Sequence, residues 1–331
     1  MTAGYSATLC APLGVTRTRA AERISFVSFG GSYGDFVKEH WIRPFTAETG
    51  IEVEYVTGPD LARAKAQVTS NNIGWDIFDS AGSTILAGSR ENLWEPIDRR
   101  IVDASHFVVP IGPDRMPSFI YSGGLAWNTQ RNQNAPKSFA ELWDPERFPG
   151  RRALRTRVSE TLELALLADG VPPSQLYPLD VDRGFRALER IKPHVRNWFD
   201  QTTQGITLIQ TGEADFSYTY ANRIRAARES GIPLDFSFDQ TINAVNYFTV
   251  LRGSPRKEAA MRFLNFIAQP RQQGLMAERV GFAAVVPVEV SEGARRWLPD
   301  FTNPRSIRID DEYWQDRFVA LDRRFKEWIL T

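Results

Sequence analysis

The chain of 331 residues has one cysteine, Cys10, and three histidines. A lone thiol forms no internal disulfide and builds no cysteine-based metal cluster. His40, His106 and His194 are widely separated in sequence. His40 falls on the apolar stripe of a helical pattern, where a histidine is ordinarily a packed residue. The sequences HExxH, CxxC, GxSxG and Walker A are absent, which removes the commonest signatures of metalloproteases, thiol redox enzymes, serine hydrolases and P-loop NTPases. Neither sign of charge is in excess, with Lys plus Arg and Asp plus Glu at 40 each. Bulk attraction to nucleic acid or to an anionic membrane is therefore excluded. No apolar run approaches the ~20 residues of a membrane span.

Apolar residues make up 42% of the chain and charged residues 24%, the balance of a soluble globular protein. The length exceeds one ordinary core, so two lobes are expected. Ala20–Ala21 before Glu22 reads as the tail of an export signal, and residues 1–21 are expected to be its remnant or an added tail. Cys10 is a poor lipid anchor, because Leu9 stands where a small residue is needed.

The most informative stretch is Ile24–Gly50. An apolar run ends at Gly30–Gly31, the turn Ser32–Tyr33 follows, and a helical pattern closes at Gly50 before a second apolar run, Ile51–Val56. Pro44 is expected to bend that helix. In open α/β sheets ligands bind at the carboxyl ends of strands, where such turns sit. This turn offers small residues, a hydroxyl and a ring, and no strong acid or base. It suits holding a small solute better than transforming it. Asp60 is placed to cap a helix from Leu61. Trp75–Phe78 is a short strand before a second small-residue turn, Asp79–Ser83. Met116–Trp127 is long enough to cross between lobes. Ser159 is placed to cap a helix over Glu160–Asp169, and Phe216, Tyr218 and Tyr220 share one face of a strand by period two. Strands and helices alternate throughout, which gives the α/β class.

In this order, FVSFGGSYGDF, WDIFDS, LWEPID, GGLAWN, GEADFSYTYANRI and NYFTVLRGSPRKEAAMRFLNFIAQPRQQ resemble the periplasmic solute-binding proteins of ABC importers, in the branch of the spermidine/putrescine receptors. The resemblance runs from Ile24 to about Trp297. It implies a two-lobed type II fold, each lobe a mixed β-sheet flanked by helices, with the ligand cleft between them and hinge closure around the solute. The expected division is 22–128 plus 247–288 for one lobe and 129–246 plus 289–331 for the other, with crossings near Asn128 and Asn246. The implied partners are a small solute and the importer's membrane permease. The expected protein is a periplasmic monomer that binds no nucleic acid and has no cofactor, metal or catalytic residue.

The chain departs from the family where the solute is read. A polyamine needs carboxylates at its ends and aromatic walls along its methylenes. Asn246 stands where the polyamine receptors have aspartate, and Ala244 where tryptophan is usual. The segment that carries their acids is here Arg155-Thr156-Arg157-Val158-Ser159-Glu160. The aromatic wall is better kept: Tyr220 replaces a tryptophan, and Tyr33 and Phe282 match aromatic positions. Arginine pairs with carboxylate bidentately. The expected solute is therefore a carboxylate-bearing amino compound such as 4-aminobutyrate, the alternative a polyamine, and the rival of another class an enzyme on a related fold. The candidate contacts are Ser32, Tyr33, Asp79, Ser80, Arg157, Ser159, Tyr220, Arg223, Asp239, Asn246 and Phe282, with Asp79 or Asp239 meeting the amine.

Overall fold

The computed structural model describes residues 22–103 and 105–331. Cys10 and the expected export-signal remnant lie outside them. Nine strands are present among the described residues: β1 (Arg23–Ser28), β2 (Glu52–Thr57), β3 (Ile77–Ala81), β4 (Met116–Asn128), β5 (Arg152–Arg155), β6 (Val195–Phe199), β7 (Phe216–Tyr220), β8 (Leu234–Val250) and β9 (Ile307–Arg308). They run in the order β2-β1-β3-β8-β4-β7-β5-β6, with β9 on β8.

Two half-sheets share the long antiparallel pair β4/β8. At one end β2, β1 and β3 are mutually parallel, and β3 pairs with the end of β8 from Val250 to Asn246. At the other, β5, β6 and β7 are parallel, and β7 pairs with β4 from Gly123 to Trp127. The hydrogen-bonded ladder is thus continuous, yet its flanking partners change along β4 and β8. The change falls where Phe119–Ser122 face Asn243–Asn246. β9 adds a third strand there, on Ile242 and Asn243. Asn246 sits at this switch, whereas Asn128 lies at the opposite end of β4, paired with Leu234.

Local chemistry explains the elements near the switch. The first helical stretch is regular over Ser32–Val37, widens to a π-turn over Lys38–Ile42 and resumes over Arg43–Thr49. Pro44 has no N–H to give, and the wide turn absorbs the defect in place of a sharp kink. Gly50 ends the helix with φ 71°, as glycine does at helix ends. The Asp60 side chain accepts Arg63 N–H at 2.7 Å and caps Leu61–Thr69. In Lys257–Ala268, Ala260, Phe263, Leu264 and Ile267 form the buried face.

The chain from residue 289 does not keep to one side. Helix Asp311–Gln315 packs on helix Gly82–Arg90. Helix Phe318–Leu330 sets Phe325 against Phe185 and Trp198.

Candidate functional site

A cavity of about 1070 Å³ opens at the carboxyl ends of β1 and β3 on one side and of β5 and β7 on the other. This is where parallel strands deliver loops and helix N-termini. Its inner wall from the first half-sheet is aromatic. Phe119 and Phe282 stack at 4.1 Å, and Tyr33 meets both edge-on at 5.4 and 5.5 Å. Tyr121 and Tyr220 form a second edge-to-face pair at 5.2 Å. Sequence reasoning passed over Phe119 and Tyr121, although period two along β4 puts both on one face.

The cationic wall comes from β5 and from helix Ala221–Glu229. Arg155 is 8% exposed. It donates to the Tyr220 hydroxyl and, at 2.7 Å, to the Asp200 carbonyl, and its Nε has no partner among the described residues. Arg223, 9% exposed, donates across the cleft to the Gly30 carbonyl at 3.1 Å. Burial lowers its pKa, and the neighbouring Arg155 charge acts in the same direction. Gly31 makes room for this guanidinium: its φ is 73°, and a Cβ there would lie 2.7 Å from Arg223 Nη1.

Arg157 has a different role from the one its sequence position suggests. It reaches Ser159 Oγ at 3.0 Å, Ser83 Oγ at 3.1 Å and Thr84 Oγ1 at 3.4 Å, and lies 3.6 Å from Glu160. Ser83 and Ser159 are themselves 3.1 Å apart. These bonds join helix Gly82–Arg90 to the start of helix Val158–Ala168, so the cleft is bridged.

The acids are covered. Glu160 accepts hydroxyls from Tyr121 at 2.9 Å, Tyr218 at 3.0 Å and Tyr220 at 2.9 Å. Burial pushes Tyr220 up to about 12, so it stays a donor. Asp79 is fully buried and takes Tyr33 OH at 3.0 Å, with Ser28 Oγ and Asn246 Nδ2 as further donors. Burial raises its pKa to about 7 against the pull of these donors.

Of the sequence candidates, Tyr33, Ser80, Arg157, Tyr220, Arg223, Asn246 and Phe282 line the cavity. Asp79 and Ser159 stand directly behind it, holding Asn246 with Tyr33, and Arg157. Ser32 and Asp239 lie elsewhere. Ser32 is exposed and borders a separate cavity of about 210 Å³ with His40 and Arg225. The Gly30 carbonyl, not the Ser32 hydroxyl, meets Arg223. Asp239 is exposed because the β4/β8 register jumps between Gly123↔Ile242 and Leu125↔Ser237, which loops out the residues between. The Ser159 side chain makes no cap bond; Ser159 and Glu160 are both non-helical, and regular helix begins after them.

Among the described residues no histidine lines the cleft. Among the described residues no group of three or more His, Cys, Asp or Glu is placed to hold a metal, and no helix is long and apolar enough to cross a membrane.

Comparison with known proteins agrees with this geometry. Residues 40–294 match the family model described as bacterial extracellular solute-binding protein. The gamma-aminobutyric acid-binding protein of Pseudomonas aeruginosa is 29% identical over 325 residues, covering 93% of this chain and 91% of that protein. The spermidine/putrescine-binding periplasmic protein of Escherichia coli K12 is 22% identical over 316 residues, covering 90% and 88%. A solved GABA receptor superposes with a TM-score of 0.84 at 31% identity, covering 93% of this chain and 98% of its own. A mixed sheet in two halves, a cleft between them and a family match over most of the length lead to one conclusion: this chain belongs to the bacterial extracellular solute-binding proteins, as a two-lobed solute receptor of the ABC-importer type.

Proposed function

We propose that the receptor works in the periplasm and captures a small carboxylate-bearing amino compound of the 4-aminobutyrate class for delivery to its permease. One observation carries the ligand class: Arg155 and Arg223 are buried in the cleft wall and neither forms an ion pair among the described residues. Arg155 meets the charge of Glu160 only through the Tyr220 hydroxyl and Arg223 contacts only a carbonyl, so a carboxylate between them supplies the direct partner that both lack. The N-terminus of helix Ala221–Glu229, with Asn222 on the cavity, adds free N–H groups on the same side.

The ammonium end belongs toward Ser80, Asn246 and the rings of Tyr33, Phe119 and Phe282. Aromatic faces attract cations, and the charge of Asp79 lies behind Asn246 and Tyr33. Asp79 thus acts through other groups, not by touching the solute. The names of the relatives support the class: one binds gamma-aminobutyric acid and one is called a GABA receptor. The chain divides most naturally at the Phe119–Ser122 and Asn243–Asn246 switch, and the receptor works as a monomer without nucleic acid. A thermal-shift panel of 4-aminobutyrate, other ω-amino acids, putrescine, spermidine and simple carboxylates tests the reading. Ligands of the folded state raise Tm by mass action. A shift with the ω-amino acids supports it, and a shift with the polyamines alone replaces it by the polyamine reading. Turnover of any compound in the panel favours an enzyme.

A further inference from the structure

We propose that Glu163, which does not line the cleft, is the positioning residue that fixes the cleft floor: it holds the backbone of Glu160 and, through it, the hydroxyls of Tyr121, Tyr218 and Tyr220. The inference rests on reading the cleft as a solute site.

Glu160 has φ 77° and ψ −44° inside a buried segment. A residue with a Cβ rarely adopts such a conformation, and strained residues persist where the surroundings over-determine them. The determining contact is visible. Glu163 Oε2 accepts the Glu160 N–H at 2.8 Å, while Oε1 accepts the Tyr177 hydroxyl at 2.6 Å and the Trp314 indole N–H at 2.7 Å. Glu163 is fully buried. Glutamate three residues into a helix reaching back to the N-cap amide is one half of a capping box. The strained geometry makes Glu160 the cap residue and turns its carboxylate beneath the three tyrosines.

The consequence reaches the solute. Tyr220 bonds both Glu160 and Arg155, so the placement of Glu160 sets that of the cleft arginine. Trp314 belongs to helix Asp311–Gln315, which packs on helix Gly82–Arg90 across the cleft. Glu163 therefore joins the floor of one lobe to a segment that touches the other.

The titratable groups facing Glu163 are Glu160 on its own helix, Tyr177 from the following loop and Tyr313 from the C-terminal segment, with Asp310 beside Tyr177. The leading influences on its ionisation are burial and the hydrogen bonds from Tyr177 and Trp314. Burial raises its carboxyl to about 7 although Tyr177 and Trp314 favour the charged form. The carboxylate accepts all three donors at once, whereas the protonated acid gives up part of that capacity. The grip on Glu160 is thus strongest above pH 7 and relaxes below it.

The test is Glu163→Gln, which keeps the shape but leaves one acceptor oxygen for three donors, so that an amide NH2 must face at least one of them. Calorimetry with 4-aminobutyrate is expected to show binding about tenfold weaker than wild type near pH 8.5, the scale of one lost hydrogen bond to a charged group. The gap should close to about twofold near pH 5.5, where wild-type Glu163 is itself protonated. A purely structural role moves Tm without this pH-dependent gap in affinity. Trp314→Phe, which removes one donor and keeps an aromatic ring in place, is expected to weaken binding less, by about threefold, and serves if Glu163→Gln fails to fold. A crystal structure of the ligand-free Glu163→Gln protein gives a readout independent of the solute: Glu160 should leave positive φ and lose tyrosine partners. Equal affinity at both pH values with Glu160 unmoved overturns the proposal. If wild type ignores 4-aminobutyrate, the assignment of the solute fails and the conformation of Glu160 in the variant alone decides this one.

Discussion

Asn246 donates its side-chain amide to the buried carboxylate of Asp79. The residue that reads as the missing acid of a polyamine site thus restrains another acid. Burial raises the Asp79 carboxyl to about 7, while in the unfolded chain it titrates near ~4. Between those values the folded state binds the proton more readily, so this group's contribution to stability is present at low pH and is lost as pH rises through about 7. Asp79→Asn removes the titration. The Tm of wild type minus that of the variant is expected to fall as pH rises from about 4.5 to about 8. Scanning calorimetry at several pH values checks this, and a signed difference that rises with pH contradicts it. The buried Glu163 and Asp311 carboxyls titrate in the same window but are common to both proteins and cancel.

Tyr220 bridges Arg155 and Glu160 through one hydroxyl. Tyr220→Phe keeps the ring against Tyr121 and deletes the bridge. Arg155 loses its orientation and Glu160 loses one of three donors. The expected result is binding of 4-aminobutyrate weaker by about 1–2 kcal/mol, with a smaller effect on Tm. Isothermal calorimetry reads the affinity, and an unchanged value removes the hydroxyl from the recognition network.

Arg157 spends its guanidinium on Ser83, Thr84, Ser159 and Glu160. Its truncation is therefore expected to loosen closure more than to delete the carboxylate contact. Arg157→Ala should weaken binding by about 1–2 kcal/mol and shift the population toward open lobes. Small-angle scattering of the ligand-free variant should give a larger radius of gyration than wild type. Complete loss of binding without a change in radius would return Arg157 to the solute itself.

Much of the fold was legible because its signals are local. The Gly30–Gly31 turn, the Asp60 cap, the Gly50 stop and the long apolar run of β4 each follow from the chemistry of neighbouring residues. The site was legible only where a strand end announced it, as at Tyr33, Ser80 and Tyr220. What failed to show was pairing across distance. Nothing near Asp79 in sequence says that Ser28, Tyr33 and Asn246 would enclose it, and nothing near Asp239 says that a register jump in β8 would turn it to solvent. Arg155 and Arg157 share a strand-end motif, yet one keeps a free N–H in the cleft while the other is consumed by serines of the facing helix. That difference arises only when the two halves meet.

The central claim is that the buried pair Arg155 and Arg223 reads a carboxylate. Its most direct test is a calorimetric titration of the wild-type protein with 4-aminobutyrate, its neutral amide and putrescine, which share a chain and an amine and differ at the other end. Saturable binding of 4-aminobutyrate, with the amide at least ~1.5 kcal/mol weaker and putrescine undetected, is the predicted result. Putrescine binding tightly while 4-aminobutyrate gives no heat would contradict the account.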